Sequence, residues 1–252
     1  MLRAPVKSLR MKSYKARGIV LNTVKYGDSS LVAQLLTDIG GRRSYMVRGI
    51  RSSHGRGSKA ALFQPLFALE FEGLESSRTE LDSFREVHAG IVLRGIPFDV
   101  RKSTVALFMA EVLYRLVRES EPDPVLFDFV WGSVEALDTI DEGTANFHLW
   151  FLANLSRFLG FSPGNEHTRD AFFDMREGVF TRAAAPRCRT LMSSVNAEIL
   201  RDLLECDVQC LGEIGLNRRQ RVDFLDAMLE YYSYHLDSIH DVRSTKILRE
   251  VF

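Results

Sequence analysis

Cysteine is nearly absent from this chain. Three residues in 252, Cys188, Cys206 and Cys210, are too few and too unpaired for a disulfide framework, which fits a reducing compartment, read here as the cytoplasm. No apolar run reaches the roughly 18 residues that a membrane-spanning helix needs, and the first residues lack the apolar stretch of a secretory signal. The opening MLRAPVKSLRMK is basic and free of acids, which suits either a transit segment or an untidy extension before Met11. Catalytic signatures are missing as well. HExxH and GxSxG do not occur, and GRGSKA reads Gly-Ser-Lys where a phosphate loop needs Gly-Lys-Ser/Thr. Glu70, Glu72 and Glu75 read as the solvated edge of a strand rather than a two-metal nuclease site. With no catalytic constellation and no cofactor motif, the chain reads as a binding protein and not an enzyme.

Net charge is also lacking, since 33 Lys and Arg face 33 Asp and Glu, but the two signs are unevenly placed. Residues 1–60 hold 13 cations against Asp28 and Asp38, a local +11, so the rest of the chain carries 20 against 31, or −11. Within GGRRSYMVRGIRSSHGRGSKAALF, Arg42, Arg43, Arg48, Arg51, Arg56 and Lys59 occur without a single acid. Such a segment attracts polyanions even in a neutral molecule, although a solvated basic face is the plainer reading of charge alone.

Periodicity divides the chain near residue 95. Before it, five short β-rich runs (14–26, 30–37, 42–49, 66–73 and 79–88) alternate with turn signals such as Gly27-Asp28 and Gly40-Gly41, which predicts a small barrel. Beyond it the period becomes helical. Val105, Phe108, Met109, Val112, Leu113, Leu116 and Val117 follow the stripe of a core-facing helix. A second helix spans PVLFDFVWGSVEALDTI, a third ends at Gly160, and two more cover about 193–206 and 217–238, with DMREGVF a short hairpin between. The class is α+β: a basic barrel over 1–90 and a helical body over 91–252.

On a strand, residues two apart share a face. Arg42, Ser44, Met46 and Arg48 therefore line one side of the third strand, and Arg43, Tyr45 and Val47 the other. Arg42 and Arg48 would stand about 20 Å apart at ~3.3 Å per residue, a span that a short piece of sugar–phosphate backbone covers. The Gly- and Ser-rich IRSSHGRGSKA beyond them suits an adaptable loop, and guanidinium groups bind phosphate through paired donors. A single-strand binder also needs aromatic platforms, for which Tyr26, Tyr45 and Phe63 are candidates, each equally suited to the barrel core. One oddity lies further on. Arg218, Arg219 and Arg221 crowd the first turn of the last long helix, where the dipole disfavours them, so this turn is a second candidate anion or partner site; Arg219 has an i, i+4 partner in Asp223.

ARGIVLNTVKYGDSSLVAQLLTDIGGRRSYMVRGIR, FQPLFALEFEG, LGFSPGN, FDMREGVF and YYSYHLDSIHDVRSTKILREVF together, and in this order, resemble the RecO family of recombinational repair proteins. The resemblance implies an oligonucleotide-binding (OB) barrel followed by a helical body. It also implies a small module between helices that in many members holds zinc through four cysteines. Here that module, at about 161–190, is degenerate, since Cys188 is its only cysteine and the chain has no CxxC pair, so no metal is expected. What the resemblance implies about function is DNA repair and recombination through binding. Such proteins bind single- and double-stranded DNA, anneal strands coated with single-strand-binding protein and, with RecR, help load RecA. The acidic, Phe-ending tail of single-strand-binding protein would need an apolar pocket rimmed by cations, for which Arg101, Lys102, Arg115 and Arg118 supply the materials. The alternative is a protein–protein adaptor whose basic barrel binds an acidic partner instead of DNA.

Overall fold

A computed structural model describes residues 12–50, 59–76, 81–118, 121–164, 171–182 and 190–252. Strands β1 (Ser13–Tyr26), β2 (Ser30–Thr37), β3 (Gly41–Arg48), β4 (Ala68–Leu74) and β5 (Asp82–Ala89) close into a barrel in the order β1-β2-β3-β5-β4. Alternation of side chains fixes the register, because a slip of one residue would turn the apolar set outward. Val20, Ala33, Leu35, Tyr45, Val47, Leu69 and Phe71 point in and form the barrel's own core, with Phe63 from the short 3-10 helix Lys59–Phe63. The seam is thin. Strands β3 and β5 run parallel and pair only at Tyr45 with Asp82 and Met46 with Ser83.

The linker into the helices is pinned by one carboxylate. Asp138 accepts from the amides of Arg94, Gly95 and Ile96 at 2.7–2.8 Å, while its carbonyl accepts from Lys102 Nζ at 2.8 Å. Glycine at 95 is required by this approach, since a Cβ would stand 2.2 Å from the Asp138 carbonyl oxygen. Helices α1 (Val100–Leu116) and α2 (Pro124–Thr139) then start at Asp99 and Asp123, whose carboxylates cap first-turn amides. The central helix α3 (Thr144–Phe158) buries Phe147, Phe151, Leu152 and Leu155 completely, each contributing about 2 kcal/mol. Gly160, at φ +86°, ends it as the spacing predicts.

Beyond α3 lies a three-stranded sheet in the order β7-β6-β8, made of β6 (Phe172–Asp174), β7 (Val179–Thr181) and β8 (Leu191–Met192). The hairpin agrees with the sequence reading; the third strand was not expected, because two residues are too few to show a period. Helices α4 (Ser194–Glu205), α5 (Arg218–His235) and α6 (Ser244–Val251) complete the body. The last of these also lies outside the sequence expectations. Its caps come from elsewhere in the chain: Glu111 on α1 accepts from the amides of Arg243 and Ser244 at its start, and Arg218 and Arg221 donate to carbonyls of Arg249 and Phe252 at its end.

His148 on α3 is buried beside the Phe252 ring, at 5.8 Å between centroids. Burial, aided by the nearby Arg221 charge, lowers its pKa from 6.5 to about 3. The folded state therefore keeps the ring neutral while the unfolded chain protonates it, so the contribution is full above pH 6.5 and is lost as pH falls toward 3. Between pH 7 and 5 this amounts to about 2 kcal/mol. Urea unfolding of the wild type should show that loss over this window, and His148→Phe should abolish most of it.

Candidate nucleic-acid interface

The face of the barrel formed by β1, β2 and β3 is where the sequence places its cations. Pairing aligns Tyr26 with Ser30 and Ser30 with Arg48, then Val24 with Val32 and Val32 with Met46, so these six side chains share one outward surface. Tyr26 is 61% exposed and Arg48 is exposed, two strands apart at about 10 Å. An aromatic ring and a guanidinium at that spacing can meet a base and its phosphate together. Further along, Asn22 Nδ2 donates to Gln34 Oε1 at 3.1 Å beside Ser44, and the face then runs beneath α1 at Leu36 and Arg42. The alternation read from the sequence is the one observed.

The strand's three arginines have different fates. Arg48 at the free end has no ion pair among the described residues. Arg42 donates Nη1 to the Tyr114 carbonyl on α1 at 2.7 Å and lies over the Tyr114 ring at 5.2 Å. Arg43 turns to the barrel rim, where it pairs with the buried Asp82 at 3.2 Å and stacks over Tyr14 at 5.4 Å. Asp82 also accepts from the Tyr14 hydroxyl and from the Ser76 amide, and the Tyr14 and Tyr45 hydroxyls are 3.3 Å apart. Burial raises the Tyr14 hydroxyl pKa well above the ordinary tyrosine value and that of Tyr45 to about 12, so both stay protonated. This network closes the β3–β5 seam, and Arg43 is spent on it. No sequence spacing links Arg43 to Asp82; only closure of the barrel brings them together. Arg51 and Arg56 lie outside the described residues, as does the Lys59 side chain. Of the aromatic candidates, Tyr45 and Phe63 are core, and Tyr26 alone faces solvent.

The first turn of α5 is likewise engaged. Arg218 and Arg221 donate to carbonyls at the end of α6, the negative pole of that helix, and Arg221 also donates to the Leu216 carbonyl. Arg219 faces solvent, 90% exposed, with Asp223 at 3.6 Å. Crowded cations are tolerated here because a second helix end absorbs two of them. Two of the residues expected to rim a tail pocket are also occupied. Lys102 is buried on the Asp138 carbonyl, and Arg115 donates to Glu111 and to the carbonyls of His240 and Asp241.

The zinc that the family resemblance implies has no matching donor set. Residues 161–190 contain one cysteine, Cys188, which with His167 lies outside the described residues, and among the described residues no three candidate ligands come together. Cys206 and Cys210 sit apart from the module, at the end of α4 and in the 3-10 helix Val208–Glu213. An aromatic cluster holds the module instead. Phe173 packs edge-on against Phe180 and Tyr231 at 5.0 and 5.1 Å, His235 stacks on Phe161 at 4.8 Å, and His235 Nε2 lies 2.9 Å from the Met175 carbonyl.

Three consequences can be measured. Arg48→Ala should flatten the salt dependence of single-strand binding by about 0.7 in log–log slope without changing stability. Arg43→Ala strands Asp82 and should cost roughly 3 kcal/mol of stability with a smaller effect on that slope. A chelator should leave the thermal midpoint unchanged, whereas Phe173→Ala should lose about 3–5 kcal/mol as the module's core empties.

Comparison with known proteins agrees with this architecture. Residues 11–98 match the family described as Recombination protein O N terminal, and residues 97–244 match Recombination protein O C terminal. The chain is 36% identical to the DNA repair protein RecO of Bacteroides fragilis over 239 residues, covering 94% of this chain and 98% of that one. It is 33% identical to the DNA repair protein RecO of Flavobacterium psychrophilum and 34% identical to that of Phocaeicola vulgatus, again over 94% of this chain and 98% of theirs. With a closed five-stranded barrel leading into a helical body and both family regions matched in order, the chain belongs to the RecO family of DNA repair proteins.

Proposed function

We propose that this chain is a non-catalytic recombination mediator of the cytoplasm. It binds single- and double-stranded DNA, anneals complementary single strands and, with RecR and single-strand-binding protein, helps load RecA during repair. The barrel, residues 1–90, is the nucleic-acid domain and residues 91–252 the helical partner domain. The observation that carries the reading is the outward face of β1–β3, where exposed Tyr26 shares a surface with Arg48, a member of the acid-free run of cations from Arg42 to Lys59. Annealing needs no bond to be made or broken. A polycationic surface lowers the repulsion between two phosphate backbones, and released counterions drive each strand onto it. Arg42, Arg43, Arg48, Arg51, Arg56 and Lys59 define the maximum reach of that surface. Six phosphate contacts would give a slope of about −4 against log salt for a single strand, and the pairing of Arg43 with Asp82 should make it shallower. The tail of single-strand-binding protein would deliver the barrel to coated DNA, with Arg101 and Arg118 as the cations of the expected set left without a partner among the described residues.

The reading is tested by annealing and anisotropy assays on fluorescent oligonucleotides, with and without single-strand-binding protein. Arg48→Glu should slow annealing at least tenfold, and Arg42→Glu should add to the loss. An adaptor that binds only acidic proteins would show no affinity for naked DNA and a flat salt response, and that outcome would replace the proposal.

A further inference from the structure

A cavity of about 720 Å³ lies where the barrel meets α1 and α6. Its floor is apolar, built from Leu21 and Pro65 of the barrel side and Leu107 and Ile247 of the helices. Leu107 and Ile247 are 37% and 41% exposed, unusual for residues at the junction of two packed units. The walls carry four guanidinium groups, Arg42, Arg115, Arg118 and Arg243. The one carboxylate lining it, Glu111, is already consumed by Arg115, the Ser244 hydroxyl and the amides of Arg243 and Ser244. Although burial opposes it, those hydrogen bonds hold the Glu111 carboxyl below its ordinary value, so it stays an occupied anion. The Arg118 and Arg243 guanidiniums have no ion pair among the described residues, and both residues are exposed.

Arg42 belongs to two surfaces at once. It closes the outward row Arg48, Met46, Ser44, Arg42 on β3, and it lines the cavity; Asn22, next to Gln34 and Ser44 on the same face, lines it too. We propose that the cavity is the second half of the nucleic-acid path. A single strand laid along β1–β3 passes Arg42 and enters the cleft, where a base rests on the Leu107–Ile247 floor and flanking phosphates meet Arg118 and Arg243. The inference rests on the nucleic-acid reading above and extends it to residues of the helical body. Cations at both ends of β3 and again in the cleft, Arg48, Arg42, Arg118 and Arg243, favour a polymer of spaced anions over an acidic peptide, which would need only the cleft. The volume suits one or two nucleotides, within the range of small-molecule sites.

The test uses the full chain, a fluorescent oligonucleotide and a labelled acidic peptide ending in Phe, with binding measured between 50 and 200 mM salt. Arg118→Ala with Arg243→Ala should reduce the single-strand slope by about 1.4 and weaken binding roughly 25-fold at 0.1 M salt. A control pair, Arg157→Ala with Arg176→Ala, removes the same charge away from the cleft and should leave the slope near that of the wild type. Ile247→Asp should weaken binding further without unfolding the exposed site. If the wild type binds the oligonucleotide and the Arg118/Arg243 pair leaves its slope unchanged, the inference is overturned; loss of peptide binding in that variant would then mark the cleft as a peptide dock. If the wild type binds no oligonucleotide, the broader reading itself fails.

Discussion

Ile19, Leu21, Leu36, Leu66 and Ala68 are barrel residues, yet they pack into the core of the helical body and not into the barrel's own interior. Each removes its side chain from water at the junction, and at about 25 cal/mol per Å² such contacts outweigh any single polar bond across it. Arg17 adds orientation. Its guanidinium lies over Phe127 and Trp131 at 5.0 and 5.2 Å and reaches Asp38 within the barrel and Asp128 on α2, each at 3.3 Å. With Asp138 gripping the linker, these contacts set the angle between β3 and α1. That angle is what places Arg42 against Tyr114 and opens a cleft beside it.

The same burial sorts the cations. A guanidinium removed from water must find acceptors, because an unpaired buried charge costs more than folding can spare. Arg43, at the barrel rim, finds Asp82; Arg42, under α1, finds a backbone carbonyl; Arg115 finds Glu111. Arg48, at the exposed end of β3, has no ion pair among the described residues. A count of charges along the chain thus overstates how many of β3's cations are free, since Arg42 and Arg43 are both engaged.

The small sheet after α3 is held by ring packing. Phe173 of the sheet packs on Phe180 and on Tyr231 of α5, and Phe161 and His235 complete the ring cluster around Tyr231. Such packing transmits the position of the sheet directly to the helical core, since Tyr232 beside it donates to the Leu152 carbonyl of α3 at 2.7 Å.

Alternation and helical stripes were legible in the residues themselves: the five barrel strands, the turn at Gly27-Asp28 and the helices from Val100 to His235 follow from periods of 2 and 3.6 and from caps close in sequence. So was the acid-free run from Arg42 to Lys59, and the in-and-out order of β3. Helix α6 was not, because eight residues carry little period and its caps, Glu111, Arg218 and Arg221, lie far away along the chain. The pairing of Arg43 with Asp82, the burial of Tyr45 against the exposure of Tyr26, and the cleft between Arg42 and Arg243 were decided by tertiary structure alone. The physical reason is common to all of them: whether a charge or a ring is free depends on which distant partners burial brings within hydrogen-bond reach, and local sequence contains no record of that distance.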